Sequence, residues 1–182
     1  GKTTLTRHFF ENKPYVNLEN PDSRRFALDD PRGFLFQYGS GAVIDEAQRA
    51  PEIFSYLQQL LDESNMKGRF ILTGSNNFLL QETISQSLAG RIAYLYLLPF
   101  TLTELPPGKD IDPAARIING SYPPVYDQMI DPDLWYPNYI RTYVERDVRQ
   151  LKNISDLNTF DRFIRLCAGR SGQLLNLSSL AM

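Results

Sequence analysis

The sequence predicts an α/β fold, with a parallel sheet flanked by helices and then the helical start of a second domain. Three observations predict it. Apolar runs of strand length alternate with stretches of helical spacing through residue 104. One of these runs, "AVIDE", ends in two adjacent acids, Asp45 and Glu46. Beyond "LPPGKDIDP" (Leu105–Pro113) the texture changes to amphipathic helical stretches rich in Arg and Tyr.

The elements follow in order. Thr3 to Phe10 reads as the first turns of a helix, stopped by Pro14, and "YVNL" at Tyr15–Leu18 as a short strand. "NPDSRRFALDDPRGFLFQYG" is turn-rich, with room for one short helix. "GAVIDE" has the compact apolar run of a buried strand. In "PEIFSYLQQLLDES" Pro51 suits a first helical position, and Ile53, Phe54, Leu57, Leu60 and Leu61 share one helical face. "GRFILTGSN" reads as a second buried strand, "NFLLQETISQSLAG" as a helix stopped by Gly90, and "RIAYLYLLPF" as a further strand. Strands joined by helices imply right-handed crossovers and a parallel sheet. "WYPNYIRTYVERDVRQL" and "TFDRFIRLCAG" read as helices, and "GQLLNLSSLAM" as a third.

Composition bounds what the chain can be. With 182 residues, 42% hydrophobic and 22% charged, it can bury a core without staples. Cys167 is the single cysteine, so no intrachain disulfide forms, which is compatible with a reducing compartment such as the cytoplasm. With His8 the single histidine, a Cys/His zinc cluster is excluded. No apolar run reaches the roughly 20 residues of a membrane-crossing helix. Net charge is −2, but residues 1–140 carry 12 Lys/Arg against 17 Asp/Glu, whereas residues 141–182 carry 7 against 4. That split points to two segments with different partners.

Four places carry chemistry. Gly1-Lys2-Thr3-Thr4 matches the end of a phosphate-binding loop. There the Lys reaches the β- and γ-phosphates, the hydroxyl binds Mg²⁺, and the following helix favours anions at its N-terminus. The tripeptide G-K-[ST] alone would occur by chance in roughly one chain in ten of this length. "AVIDEAQ" supplies what a Walker B strand needs: Asp45 to hold Mg²⁺ and Glu46 to orient and deprotonate a water. A buried strand whose exposed end happens to carry two acids is the bland alternative. "FILTGSN" ends in small polar residues, and a polar side chain beside the acid-tipped strand can touch the γ-phosphate or the water. Ser75, Asn76 and Thr73 are candidates in that order, and the same Ser or Asn also suits a helix N-cap. Arg91 in "SLAGRIAYL" can neutralise a transferring phosphoryl in its own or a neighbouring subunit. It equally suits a solvated cation at a helix C-terminus.

In this order, "GKTTL", "VIDEAQRAPEIFSYLQQLLD", "RFILTGSNNFLL" and "SLAGRIAYLYLLPFTLTEL" make up a sequence that resembles the prokaryotic AAA-like P-loop ATPases carrying an uncharacterised C-terminal domain. The stretch "YIRTYVERDVRQLKNISDLNTFDRFIRLCAGRSGQLLNLSSLA" resembles the opening of that second domain, so the likeness covers nearly the whole chain. The resemblance implies a P-loop NTPase sheet, with ATP and Mg²⁺ as cofactors. It gives Lys2 and Thr3 the phosphate and Mg²⁺ roles, Asp45 a Mg²⁺ role and Glu46 that of catalytic base. It divides the chain into a P-loop ATPase core lacking its first strand (1–104), a linker and connecting segment (105–135) and the beginning of a helical, winged-helix-like domain (136–182). The upstream half of the loop is expected to precede Gly1, and these residues alone are expected to bind ATP poorly.

Rival functions lose ground on specific residues. A GTPase needs N-K-x-D late in the fold, and Asn12-Lys13 is followed by Pro14-Tyr15. A kinase would avoid a water-activating acid such as Glu46. A non-catalytic, DNA-associated or protein-interaction regulator built on a nucleotide-binding fold is the alternative, prompted by the basic segment 141–182. That segment's charge is too small to demand nucleic acid. Arg141, Glu145 and Arg149 make an ordinary spacing-of-four series. Tyr136, Tyr139 and Tyr143 suit a core or an interface better than base stacking. Candidate partners are therefore ATP, a second copy or another protein on which hydrolysis acts, and DNA, with no membrane.

Overall fold

The computed structural model describes residues 1–64, 66–74, 87–105, 112–146, 156–174 and 176, with the side chains of 143–146 excepted. They form two compact units, 1–98 and 99–182.

The first unit is α/β, with a small parallel sheet flanked by helices. It opens with α1 (Lys2–Phe9) and β1 (Tyr15–Asn17), as the sequence predicts. The turn-rich stretch after β1 holds two helices, α2 (Pro21–Asp29) and α3 (Pro31–Phe36), where one short helix is expected. Each begins with Pro after a capping acid or amide. The Asn20 side chain accepts from the backbone N–H of Asp22 and Ser23, and Asp30 from that of Gly33 at 2.8 Å. The same Asn-Pro and Asp-Pro pairs that read as turns are thus helix starts.

The strand β2 (Val43–Asp45) is buried throughout and pairs in parallel with β1 and with β3 (Ile71–Leu72). The sheet order is β1-β2-β3. The approach to β2 needs glycine: Gly41 has φ +100°, and a Cβ there would stand 1.9 Å from the Arg69 carbonyl oxygen. The helix α4 (Ile53–Asp62) turns Ile53, Phe54 and Leu57 into the core, the face its sequence spacing predicts. It starts two residues beyond Pro51, because Ala50 and Pro51 form a tight turn whose carbonyls take the Ile53 and Phe54 N–H groups. Phe34 sits at the centre of the packing, edge-on to Phe26 at 5.9 Å and Tyr38 at 5.4 Å.

One other expectation comes out differently. Residues 91–100 form no strand. They join no ladder among the described residues, and Leu95 stays 97% exposed. An apolar run becomes a strand only where a neighbour takes its backbone groups. The helix expected over "NFLLQETISQSLAG" falls mostly outside the described residues.

The second unit is helical where described: α5 (Pro113–Asn119), α6 (Pro123–Asp127), α7 (Pro132–Arg146) and α8 (Leu157–Ala168). The segment 105–135, expected to link, carries α5, α6 and the first turn of α7. Tyr136 and Tyr139 pack with Tyr122 and Trp135, the Trp135 and Tyr139 rings stacking at 4.8 Å. The side chains of Tyr143, Glu145 and Arg149 lie outside the described residues, as does most of "GQLLNLSSLAM".

Candidate functional site

The parallel register sets the C-terminal ends of the strands side by side. Asn17 stands opposite Asp45, and Ile44 opposite Leu72, so Thr73 follows alongside Asp45. The crevice beyond the carboxyl ends of parallel strands is where open α/β sheets bind ligands. The start of α1 reaches the same end. Gly1 precedes the helix, and its carbonyl accepts from Leu5 N–H at 3.0 Å.

Asp45 is the centre of the arrangement and is 4% exposed. Its Oδ2 accepts from Thr3 Oγ1 at 2.8 Å and from the Tyr15 hydroxyl at 2.6 Å. Its Oδ1 accepts from Thr73 Oγ1 and from the Glu46 backbone N–H at 3.2 Å. Burial pushes the Asp45 carboxyl up, but those four donors outweigh it and hold the group below its ordinary value, charged at neutral pH. Tyr15 answers in the opposite sense. Burial, with the Asp45 carboxylate beside it, pushes its phenol up to about 12, so it stays a donor.

Lys2 donates to the carbonyl of Gly74, just past β3. Thr4 lies exposed in the first turn of α1. Glu46 has φ 55° and ψ 42°, a left-handed conformation uncommon for a side-chain-bearing residue, and its carboxylate accepts from Gln48 Nε2. Backbone held in this region concentrates at active sites. Arg91 stands apart from this group. Its guanidinium forks onto Asp62 at the end of α4, at 2.5 and 3.0 Å, and also reaches the Ala89 carbonyl. Ser75 and Asn76 lie outside the described residues.

The structure therefore brings Thr3, Asp45 and Thr73 into one hydrogen-bonded cluster, with Glu46 adjoining it through its backbone and Lys2 bound at the neighbouring strand tip. A hydroxyl and a carboxylate in contact are hard oxygen donors of the kind Mg²⁺ takes, one or two from protein with phosphate and water supplying the rest. Among the described residues no three His, Cys, Asp or Glu side chains gather into a fuller metal cluster. Sequence reasoning missed Tyr15 altogether, since its contact with Asp45 spans 30 residues and has no local spacing. It ranked Thr73 behind Ser75 and Asn76, yet β-register turns Thr73 onto Asp45.

Comparison with known proteins bears on what this cluster serves. Residues 1–106 match the model of a family described as an AAA domain, and residues 112–182 one described as a domain of unknown function (DUF8612). Over 187 aligned residues the chain is 34% identical to the uncharacterized protein Mb2031c of Mycobacterium bovis. It is equally similar to the uncharacterized protein Rv2008c of Mycobacterium tuberculosis. The alignment takes in 100% of the chain but 41% of each relative's length. No solved structure matches. Among the described residues no helix is long and apolar enough to cross a membrane.

Proposed function

We propose, since the chain belongs to the AAA-domain family through residues 1–106, that the full-length protein binds ATP with Mg²⁺ at the start of α1 and hydrolyses it. Hydrolysis then drives a conformational change on a partner, protein or second copy. The observation that carries this reading is the hydrogen bond between Thr3 and Asp45, residues 42 apart in sequence, with Glu46 next to it. In P-loop ATPases a loop hydroxyl and a Walker B carboxylate hold Mg²⁺ together, and this contact supports that reading.

The residues then divide the work. The Lys2 ammonium leaves the Gly74 carbonyl for the phosphate oxygens, a stronger, charge-assisted acceptor. Gly1 and Thr4 lend backbone N–H groups at the positive end of the helix dipole. Thr3 and Asp45 would hold Mg²⁺, which screens the phosphate charge when bound. Glu46 takes a proton from the attacking water as its oxygen bonds to the γ-phosphorus and the bond to the leaving ADP oxygen breaks. Ser75 and Asn76 offer polar contacts at the strand tip, and Arg91 a cation for the developing charge.

The test is Glu46→Gln in the full-length protein. Turnover is expected to fall by about 10² or more while binding of a fluorescent ATP analogue is retained. Turnover at the wild-type rate would remove Glu46 from the role of base.

A further inference from the structure

We propose that Tyr15 is a positioning residue for the Mg²⁺-holding carboxylate, its hydroxyl fixing the orientation in which Asp45 meets the cation. The inference rests on the nucleotide-site reading above and adds to it a residue with no part in the loop or the acid-tipped strand.

Three observations carry it. The Tyr15 hydroxyl donates at 2.6 Å to Asp45 Oδ2, the same oxygen that Thr3 Oγ1 contacts at 2.8 Å. With Thr73 and the Glu46 N–H on Oδ1, each oxygen has two donors, and the carboxylate plane is fixed by contacts on both sides. The phenol ring is itself gripped from α1. The Arg7 guanidinium lies over it, 3.9 Å from the ring centroid, on the helix that begins with Lys2 and Thr3. Tyr15 thus ties β1, β2 and α1 together at one carboxylate oxygen.

A bland reading competes, in which a half-buried tyrosine merely satisfies its hydroxyl on the nearest acceptor. It accounts for the hydrogen bond but gives no reason for its place on the oxygen shared with Thr3. Mg²⁺ demands near-ideal octahedral geometry, so a carboxylate free to rotate holds it less well. Groups that orient a metal ligand by hydrogen bonding commonly change metal affinity by 10–100-fold when removed. Phe at this position keeps the ring and its contact with Arg7 and removes only the donor.

The experiment uses the full-length protein carrying Glu46→Gln, so that ATP is not consumed, with Mn²⁺ as the probe. Free Mn²⁺ is read by its paramagnetic resonance signal during titration in the presence of ATP. Adding Tyr15→Phe is expected to weaken Mn²⁺ uptake about tenfold, with ATP affinity in the absence of metal and the thermal melt unchanged. Tyr15→Leu is expected to weaken it equally and to lower the melt as well. Unchanged Mn²⁺ uptake in Tyr15→Phe, or loss confined to Tyr15→Leu, overturns the proposal, because the ring and not the hydroxyl would then matter. Loss of a cooperative melt in Tyr15→Phe overturns it too, by making Tyr15 a folding residue. If the Tyr15-bearing protein takes up no Mn²⁺ with ATP, the nucleotide-site reading falls and this inference falls with it.

Discussion

Asp45 and Arg91 carry opposite charges and stand in opposite circumstances. Asp45 is buried, and four donors converge on it; its position is set from every side. Arg91 is exposed, and Asp62 is its acidic partner among the described residues. Its role in catalysis therefore depends on what the Asp62 pair does. If Arg91 neutralises phosphoryl charge, Arg91→Ala in the full-length protein lowers kcat by about 10³-fold or more, whereas Asp62→Asn leaves kcat near the wild-type value. That is the expected outcome in steady-state ATPase measurements. Equal, small effects from both substitutions would leave the two residues a surface ion pair, of the kind that contributes little. Lys2, Thr3, Asp45 and Glu46 could be singled out in the sequence because each belongs to a short local pattern. Tyr15 was not, because a hydroxyl reaching across the sheet leaves no trace in its neighbours along the chain.

The elements show the same division. The face of α4 was legible, since apolar residues at helical spacing have one way to be buried. Phe54 is fully buried on that face, so removing its ring leaves a cavity in a close-packed core. Phe54→Ala is expected to cost about 3–5 kcal/mol in a urea unfolding experiment. A cost under about 1 kcal/mol would mean that the cavity collapses and that the core is less tightly packed than the burial indicates. The helices α2 and α3 were under-read because Pro and Asx residues serve turns and helix starts alike. The run at 91–100 was over-read as a strand because its apolar pattern carries no information about whether a neighbouring ladder exists.

At the scale of the whole molecule, a net charge of −2 supplies no general pull toward a phosphate backbone, and DNA stays the secondary proposal. Duplex DNA titrated from about 50 to 200 mM salt is expected to show little or no dependence of log K on log salt. A steep negative slope would instead bring phosphate contacts by the second unit into the account. Alternation of strand and helix periods, the acid-tipped strand and the helix after Gly-Lys-Thr were set by sequence alone. Each is a local pattern, fixed by backbone period and side-chain chemistry within a few residues. Only the tertiary structure decided that Thr3, Tyr15 and Thr73 share one carboxylate and that Arg91 is held by Asp62. Those contacts depend on strand register and helix placement across 28 to 42 residues, and folding selects them by the burial of the whole core.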